Sequence, residues 1–117
     1  RYAGYFDASI KQQEFAMEYI NRIVKAANGK PVLIVAIPTA HEMHRLKLGF
    51  DMNSMFWWHQ LNDFSNKSNN VKFLDLASYD VDNINELFHT CDEHWNSYGN
   101  KWAAEKISLA LIEFIGR

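Results

Sequence analysis

Polar and apolar positions along the chain follow two patterns, and the first of them is helical. Ser9 and Gln12 stand three residues apart, which is the signature of a capping box and predicts that a helix follows. The apolar residues behind them recur about one helical turn apart, at Ala16, Ile20, Ile23, Val24 and Ala27. The dipeptide at residues 28–29, Asn-Gly, is a typical end for such a helix.

The second pattern is a continuous apolar run of strand length. Val32–Ile37 is apolar at every position and stands between two prolines, which is typical of a strand buried on both faces of a parallel sheet. Val71–Leu76 is a second strand, shorter and less apolar. Between the two strands, Thr39–Asn53 has no clear period and is expected to be irregular, whereas Ser54–Asn66 shows helical spacing.

A last helix is predicted to begin at Asn96 or Ser97, because either residue is a suitable N-cap. Its predicted buried stripe is Ala103, Ile107, Ala110, Leu111 and Phe114. The resulting order of helix, strand, helix, strand, helix predicts an α/β architecture with right-handed crossovers. We expect residues 1–117 to form a single domain or the C-terminal part of one.

Two strands are too few for this architecture. A two-stranded parallel sheet cannot cover three helices or hide a strand as apolar as Val32–Ile37. The missing neighbours could be upstream sequence, another chain, or a strand near Tyr2–Phe6, and we favour upstream sequence. Exposed sheet edges could also pair with a second copy of the chain, so the oligomeric state stays open.

Composition changes this picture mainly by excluding functions. The chain has 117 residues, of which 48% are hydrophobic and 22% charged, the balance of one globular domain. A net charge of −2 disfavours a surface for nucleic acid. No apolar run approaches the ~20 residues that a membrane span requires. The single cysteine, Cys91, excludes an intrachain disulfide and a cysteine-only zinc site, and it assigns no compartment.

The most informative chemistry lies just before the last helix. Asp92 and His94 are two residues apart, so in an extended loop their side chains point the same way. The carboxylate can then hold one ring nitrogen and leave the other free to take a proton from a nucleophile. On spacing alone, the pair is a weak signal, and a surface or capping loop explains it better than a catalytic site. The loop follows the second strand, however, near the carboxyl edge of the sheet, where α/β proteins place their sites.

The string Asp-Glu-His-Trp-Asn-Ser-Tyr-Gly at residues 92–99 resembles the last conserved block of the SGNH (GDSL-type) hydrolases. Pro31–Thr39 is similar to a late strand of these proteins, and Val71–Leu76 to the strand before the block. The resemblance implies a three-layer α/β/α fold of flavodoxin-like type with a parallel sheet. It also implies that Asp92 orients His94, that His94 is the general base, and that no metal or organic cofactor takes part.

Two other blocks of that family are absent from this chain: the Gly-Asp-Ser nucleophile block and the Gly-x-Asn-Asp block that supplies oxyanion donors. The chain therefore resembles the C-terminal half of an SGNH domain whose serine lies upstream. The implied reaction is hydrolysis of a small acyl ester, such as an O-acetyl group on a carbohydrate, or acyl transfer to another hydroxyl. Ser54, Ser78 and Ser97 are the serines within the chain that could replace the missing one. The alternative is a non-catalytic α/β interaction or binding module that keeps the Asp/His loop for structure.

His41 and Trp95 are the candidate substrate contacts. His41 follows the first strand, at the sheet edge where sites form, and Trp95 borders the proposed base, although packing beneath the loop is the simpler role for it. The string His-Glu-Met-His at residues 41–44 also invites a metal interpretation. The zinc motif needs its histidines four residues apart, and here they are three apart with no evident third ligand. Residues 56–58, Phe-Trp-Trp, fit either a sugar-stacking platform or core packing.

Overall fold

The computed structural model describes residues 8–49 and 56–116, except for the side chains of residues 56 and 57. Its helices are α1 (Ile10–Ala26), α2 (Ala40–Lys47), α3 (Phe56–Asn66) and α4 (Ser97–Ile115). Its strands are β1 (Val32–Ala36) and β2 (Val71–Asp75), and two 3-10 turns follow at Leu76–Ser78 and Ile84–Leu87. The two strands pair in a parallel sheet, so the mixed α/β character is confirmed for this part of the chain. The predictions for Tyr2–Phe6, Ser54 and the first two aromatic residues of 56–58 lie outside it.

Helix α1 begins where the capping box predicts. The Ser9 hydroxyl accepts a hydrogen bond from the backbone N–H of Gln12, and the Gln12 side chain accepts one from the backbone N–H of Ser9. The chain reverses after the helix through positive φ angles at Asn28 and Gly29. The predicted stripe is partly right: Ile20, Val24 and Ala27 are half-buried together with Met17, whereas Ala16 and Ile23 are exposed.

The stretch expected to be irregular, Thr39–Asn53, contains helix α2. The Thr39 hydroxyl accepts from the backbone N–H of Glu42 at 3.3 Å, and the Glu42 carboxylate accepts from the backbone N–H of Thr39 at 2.7 Å. This is a second capping box, and its Thr-x-x-Glu signature directly after Pro38 is readable in the sequence. The expectation was wrong because an eight-residue helix is too short to show a clear period.

Strand β1 is less buried than its composition predicts. All five of its residues are half-buried, so the expectation of a strand enclosed on both faces is wrong for the described residues. In a sheet of two strands each strand has one hydrogen-bonded neighbour, and little surface is available to cover its faces. The apolar run that follows the strand also ends in the open, since Ile37 is 61% exposed.

The described residues divide into two compact units. One unit contains α1, α3 and the first three residues of each strand; the other contains the last two residues of each strand, α2, both 3-10 turns and α4. In the first unit α1 packs against α3, and the Gln60 side-chain amide donates to the side-chain oxygen of Gln13 at 3.3 Å. The candidate site lies wholly within the second unit.

The second unit has its own hydrophobic core at the base of the loop that carries Asp92 and His94. Its buried members are Met43, Ile84, Leu87 and Phe88, with Ala40, Val81, Trp95 and Trp102 packed partly around them. Burial of an aliphatic or aromatic side chain of this size contributes about 1.5–3 kcal/mol. The core therefore holds α2, the second 3-10 turn and the start of α4 around that loop.

Candidate catalytic site

Residues 89–94 form a loop that is closed at its base by backbone hydrogen bonds. Phe88 and Trp95 form an antiparallel bridge, and the N–H of His89 donates to the carbonyl of His94 at 3.0 Å. One residue further out, the N–H of Asn96 donates to the carbonyl of Leu87 at 3.0 Å. The residues on either side of the loop thus pair with each other, and this fixes where the loop begins and ends.

Asn96 secures the same base with its side chain. Its Oδ1 accepts from the N–H of Gly99 at 2.8 Å, which makes Asn96, and not Ser97, the N-cap of α4. Its Nδ2 donates to the carbonyls of Glu86 at 2.8 Å and Phe88 at 3.1 Å. One amide side chain therefore joins the 3-10 turn, the loop and the final helix.

Gly99 lets α4 approach the 3-10 turn closely. A Cβ at this position would lie 2.0 Å from the carbonyl oxygen of Leu87 and 2.9 Å from a ring carbon of Trp95. Neither neighbour can move easily, because one is backbone and the other is a packed indole. Glycine is thus the residue that fits between the helix and the base of the loop.

Trp95 packs at the base of the loop. Its ring lies 4.9 Å from that of Phe88 and stacks on that of Trp102 at 5.8 Å between centroids. The indole N–H donates to the carbonyl of Pro38 at 3.1 Å, and Pro38 is itself fully buried. The indole thereby joins the base of the loop to the segment that follows β1. A substrate contact for Trp95 stays a prediction.

Asp92 and His94 are brought together as the sequence predicts. Asp92 Oδ1 accepts from the backbone N–H of His94 at 2.8 Å and lies 3.3 Å from His94 Nδ1. With Nδ1 directed at the carboxylate, Nε2 is the ring nitrogen available for proton transfer. The hydrogen bond from the His94 backbone is the main reason why the pKa of Asp92 is lowered, and the nearby imidazole adds to the effect. The carboxylate is therefore ionised at neutral pH, as stabilisation of an imidazolium requires.

Both members of the pair face solvent. The side chain of His94 is 86% exposed and that of Asp92 is 53% exposed. In the described part of the chain no serine hydroxyl is hydrogen-bonded to His94. The hydroxyl of Ser78 donates to the carbonyl of Asp75, Ser97 occupies the first helical position of α4, and Ser54 lies outside the described residues. Within the described residues, the pair therefore has no serine hydroxyl hydrogen-bonded to it.

His41 lies close to this pair, at the start of α2. It lines a cavity of about 430 Å³ that also borders Asp92 and Glu93. Other lining residues are His44, Asn85, Phe88, His89 and Thr90. Of these, sequence reasoning noticed only His44, as part of the metal interpretation, because the remainder come from segments with no shared local pattern. A substrate contact for His41 stays a prediction.

The cavity histidines do not form a recognisable metal centre. Within residues 8–49 and 56–116, no group of three or more His, Cys, Asp or Glu side chains is arranged to hold a metal ion. His44 is engaged otherwise, since its Nε2 lies 2.9 Å from Asn85 Oδ1.

Comparisons with protein-family models, curated proteins and solved structures give no match for the chain. None of the helices in the described residues has the length and apolar character needed to cross a membrane.

Proposed function

We propose that this chain is the C-terminal part of an SGNH-type serine ester hydrolase. Its reaction is the hydrolysis of a small acyl ester, in particular an O-acetyl group on a carbohydrate. The observation that carries the proposal is the pairing of Asp92 with Nδ1 of His94, on a loop fixed at the start of a helix. A carboxylate on one ring nitrogen and a free second nitrogen is the arrangement that a general base needs.

The proposed reaction needs a serine from outside this chain. His94 Nε2 takes the proton of the serine hydroxyl as its oxygen bonds to the ester carbonyl carbon. The proton then passes to the leaving alcohol as the ester C–O bond breaks, and an acyl-serine remains. Water repeats the sequence, giving the carboxylic acid and free serine. Asp92 holds the tautomer and stabilises the imidazolium throughout.

The exposure of the site agrees with a missing part of the domain. His94 is 86% exposed, and every residue of β1 is half-buried although the strand is wholly apolar. Further strands beside β1 would complete a three-layer α/β/α sheet of flavodoxin-like type. Such a sheet would bring the serine and the oxyanion donors to the carboxyl edge that the loop already borders.

A non-catalytic binding module is the second candidate, and one distance favours it. The shorter contact of Asp92 is with the backbone N–H of His94, at 2.8 Å, and the contact with the ring is longer, at 3.3 Å. A carboxylate that only shapes a turn makes the first contact as the main one, and the longer second contact then follows from the proximity of the two side chains. The two candidates differ in whether the imidazole of His94 is required for activity.

The experiment is a comparison of variants in the protein that carries the upstream sequence. We expect His94→Ala to lower kcat for an acetyl ester by about 10³-fold or more, because serine deprotonation is lost. Asp92→Asn should lower it comparably, since the amide favours the wrong tautomer of His94. His59→Ala is the matched control, because His59 is exposed on α3 and should leave the rate unchanged. Equal rates for the His94 variant and the control would favour the binding module.

A further inference from the structure

The wall of the cavity beside the Asp92–His94 pair is mostly polar. Three imidazoles, those of His41, His44 and His89, line it together with the amide of Asn85. Phe88, which is 4% exposed, contributes apolar surface. A volume of about 430 Å³ lies within the range of small-molecule sites, roughly 300–1,000 Å³.

This lining suits a hydroxylated ligand better than a hydrocarbon one. Imidazole and amide groups can each donate or accept a hydrogen bond, and hydroxyl groups can answer both roles. An acyl chain would cover these polar groups and offer them no hydrogen bond.

The charges at the cavity narrow the class of ligand further. Asp92 and Glu93 place two carboxylates at the cavity. These two negative charges would repel a ligand that carries its own carboxylate or phosphate. An uncharged polyhydroxy ring meets no such penalty.

Part of the wall is held in place before any ligand arrives. His44 Nε2 lies 2.9 Å from Asn85 Oδ1, so the imidazole donates to the amide oxygen. That hydrogen bond joins α2 to the second 3-10 turn and leaves the N–H groups of the Asn85 amide to serve a ligand. A preformed wall reduces the entropy that binding would otherwise lose.

We propose that this cavity binds an uncharged sugar ring, the alcohol part of the ester that the Asp92–His94 pair acts on. This inference rests on the proposed function in one respect: only if the pair cleaves an ester is the sugar the leaving alcohol. The binding of the ring itself depends only on the cavity and can be measured without the serine.

The test is an NMR titration of the chain with four neutral sugars: the methyl glycosides of glucose, galactose and mannose, and N-acetylglucosamine. For at least one sugar we expect a saturable shift of the imidazole signals of His41, His44 and His89. The signals of His59, which lies on α3 and does not line the cavity, should stay in place. Glucuronate should need at least ~10-fold more ligand for the same shift, because of the two carboxylates.

A pair of variants separates a specific site from general surface effects. Asn85→Ala should weaken binding by about 10-fold, because it removes a hydrogen-bonding group and the contact that orients His44. Asn83→Ala is the matched control, since Asn83 lies two residues away, is exposed, and does not line the cavity.

The outcomes distinguish this inference from the function on which it rests. No saturable shift with any of the four sugars, or equal shifts for His59, would overturn the sugar site. Sugar binding in a protein without esterase activity would keep the carbohydrate site and overturn the reaction. Esterase activity without sugar binding would do the opposite.

Discussion

The Asp92 carboxylate makes two contacts through one oxygen, and both serve His94. The backbone N–H of His94 donates to Oδ1, and the ring nitrogen Nδ1 lies beside the same atom. The first contact keeps the pKa of Asp92 low and fixes the carboxylate, while the second sets the orientation of the ring. A single carboxylate therefore contacts both the backbone and the ring of His94.

Asp75, the last residue of β2, is a buried carboxylate whose surroundings disfavour its ionised form. Its Oδ1 accepts from the N–H of Ala77 at 3.0 Å, but its Oδ2 is buried and has no hydrogen-bond partner among the described residues. Burial raises the pKa of Asp75 to about 6, and the hydrogen bond from Ala77 opposes that rise only in part. The ionised form is thus buried at a cost when the pH is neutral.

The stability of the chain should reflect this burial. Below the unfolded pKa of about 4, Asp75 is neutral in both states; between there and about pH 6 the folded state retains a proton that the unfolded state has lost. The free energy of unfolding therefore falls as the pH rises through this window. We expect Asp75→Asn to remove the fall and to stabilise the fold at pH 7.5 by up to about 3 kcal/mol.

Urea unfolding at pH 4 and at pH 7.5 measures this effect. The two proteins should be nearly equal at pH 4, where wild-type Asp75 is protonated. Asp80→Asn is the control, because Asp80 is exposed and its substitution should change little at either pH. A variant at position 75 that is less stable than wild type at pH 7.5 only would show that the ionised carboxylate has a stabilising partner.

The sequence predicts contacts between side chains when the residues are close together along the chain. Asp92 and His94 are two residues apart, so their pairing follows from spacing and can be predicted. The cavity wall brings His41 and His44 from α2 next to Asn85 and His89 from a distant segment. No period or motif connects those positions, and their proximity depends on how the second unit packs.

Elements of this fold are defined at their ends more than along their faces. Ser9 and Thr39 begin α1 and α2 through complete capping boxes, and Asn96 caps α4 through its side-chain oxygen. These signals involve residues three apart, so the sequence carries them explicitly. The faces are harder to read, because Ile23 belongs to the predicted stripe of α1 but is 62% exposed.

The contact between α4 and the second 3-10 turn depends on Gly99. We expect Gly99→Ala to lower the free energy of unfolding by at least about 2 kcal/mol, because the new Cβ would lie 2.0 Å from a backbone oxygen. The better helix propensity of alanine offsets this by only about 1 kcal/mol.

Chemical denaturation gives that free energy directly. Asn100→Ala is a matched control on the same helix, since Asn100 is exposed and the substitution should change stability by no more than ~0.5 kcal/mol. Equal stability of the two variants would mean that the helix and the 3-10 turn are not as close as described.

The described residues leave much apolar surface uncovered. Phe15, Tyr19 and Ile23 follow one another at intervals of four along α1 and are each more than half exposed. On α4, Leu109, Ile112 and Ile115 are at least as exposed. Isolated exposed apolar residues are ordinary, but stripes of them mark surfaces that other structure covers.

The number of strands in the sequence already predicts that apolar surface lacks cover. Val32–Ile37 is too apolar for an open sheet, and the described sheet has two strands. The composition of β1 does not say which residues lie beside it, and in the described residues β1 pairs with β2. The three-layer arrangement thus stays a prediction, and so do the nucleophile and the oxyanion donors.

Labelling with a fluorophosphonate, which reacts with activated serines, tests whether Asp92 and His94 belong to a serine hydrolase. In the protein that carries the upstream sequence, we expect one serine outside residues 1–117 to be labelled. His94→Ala should slow the labelling by at least ~100-fold, because the general base is lost, and His59→Ala should leave it unchanged. Absence of labelling, or an equal rate in the His94 variant and the control, would contradict the account.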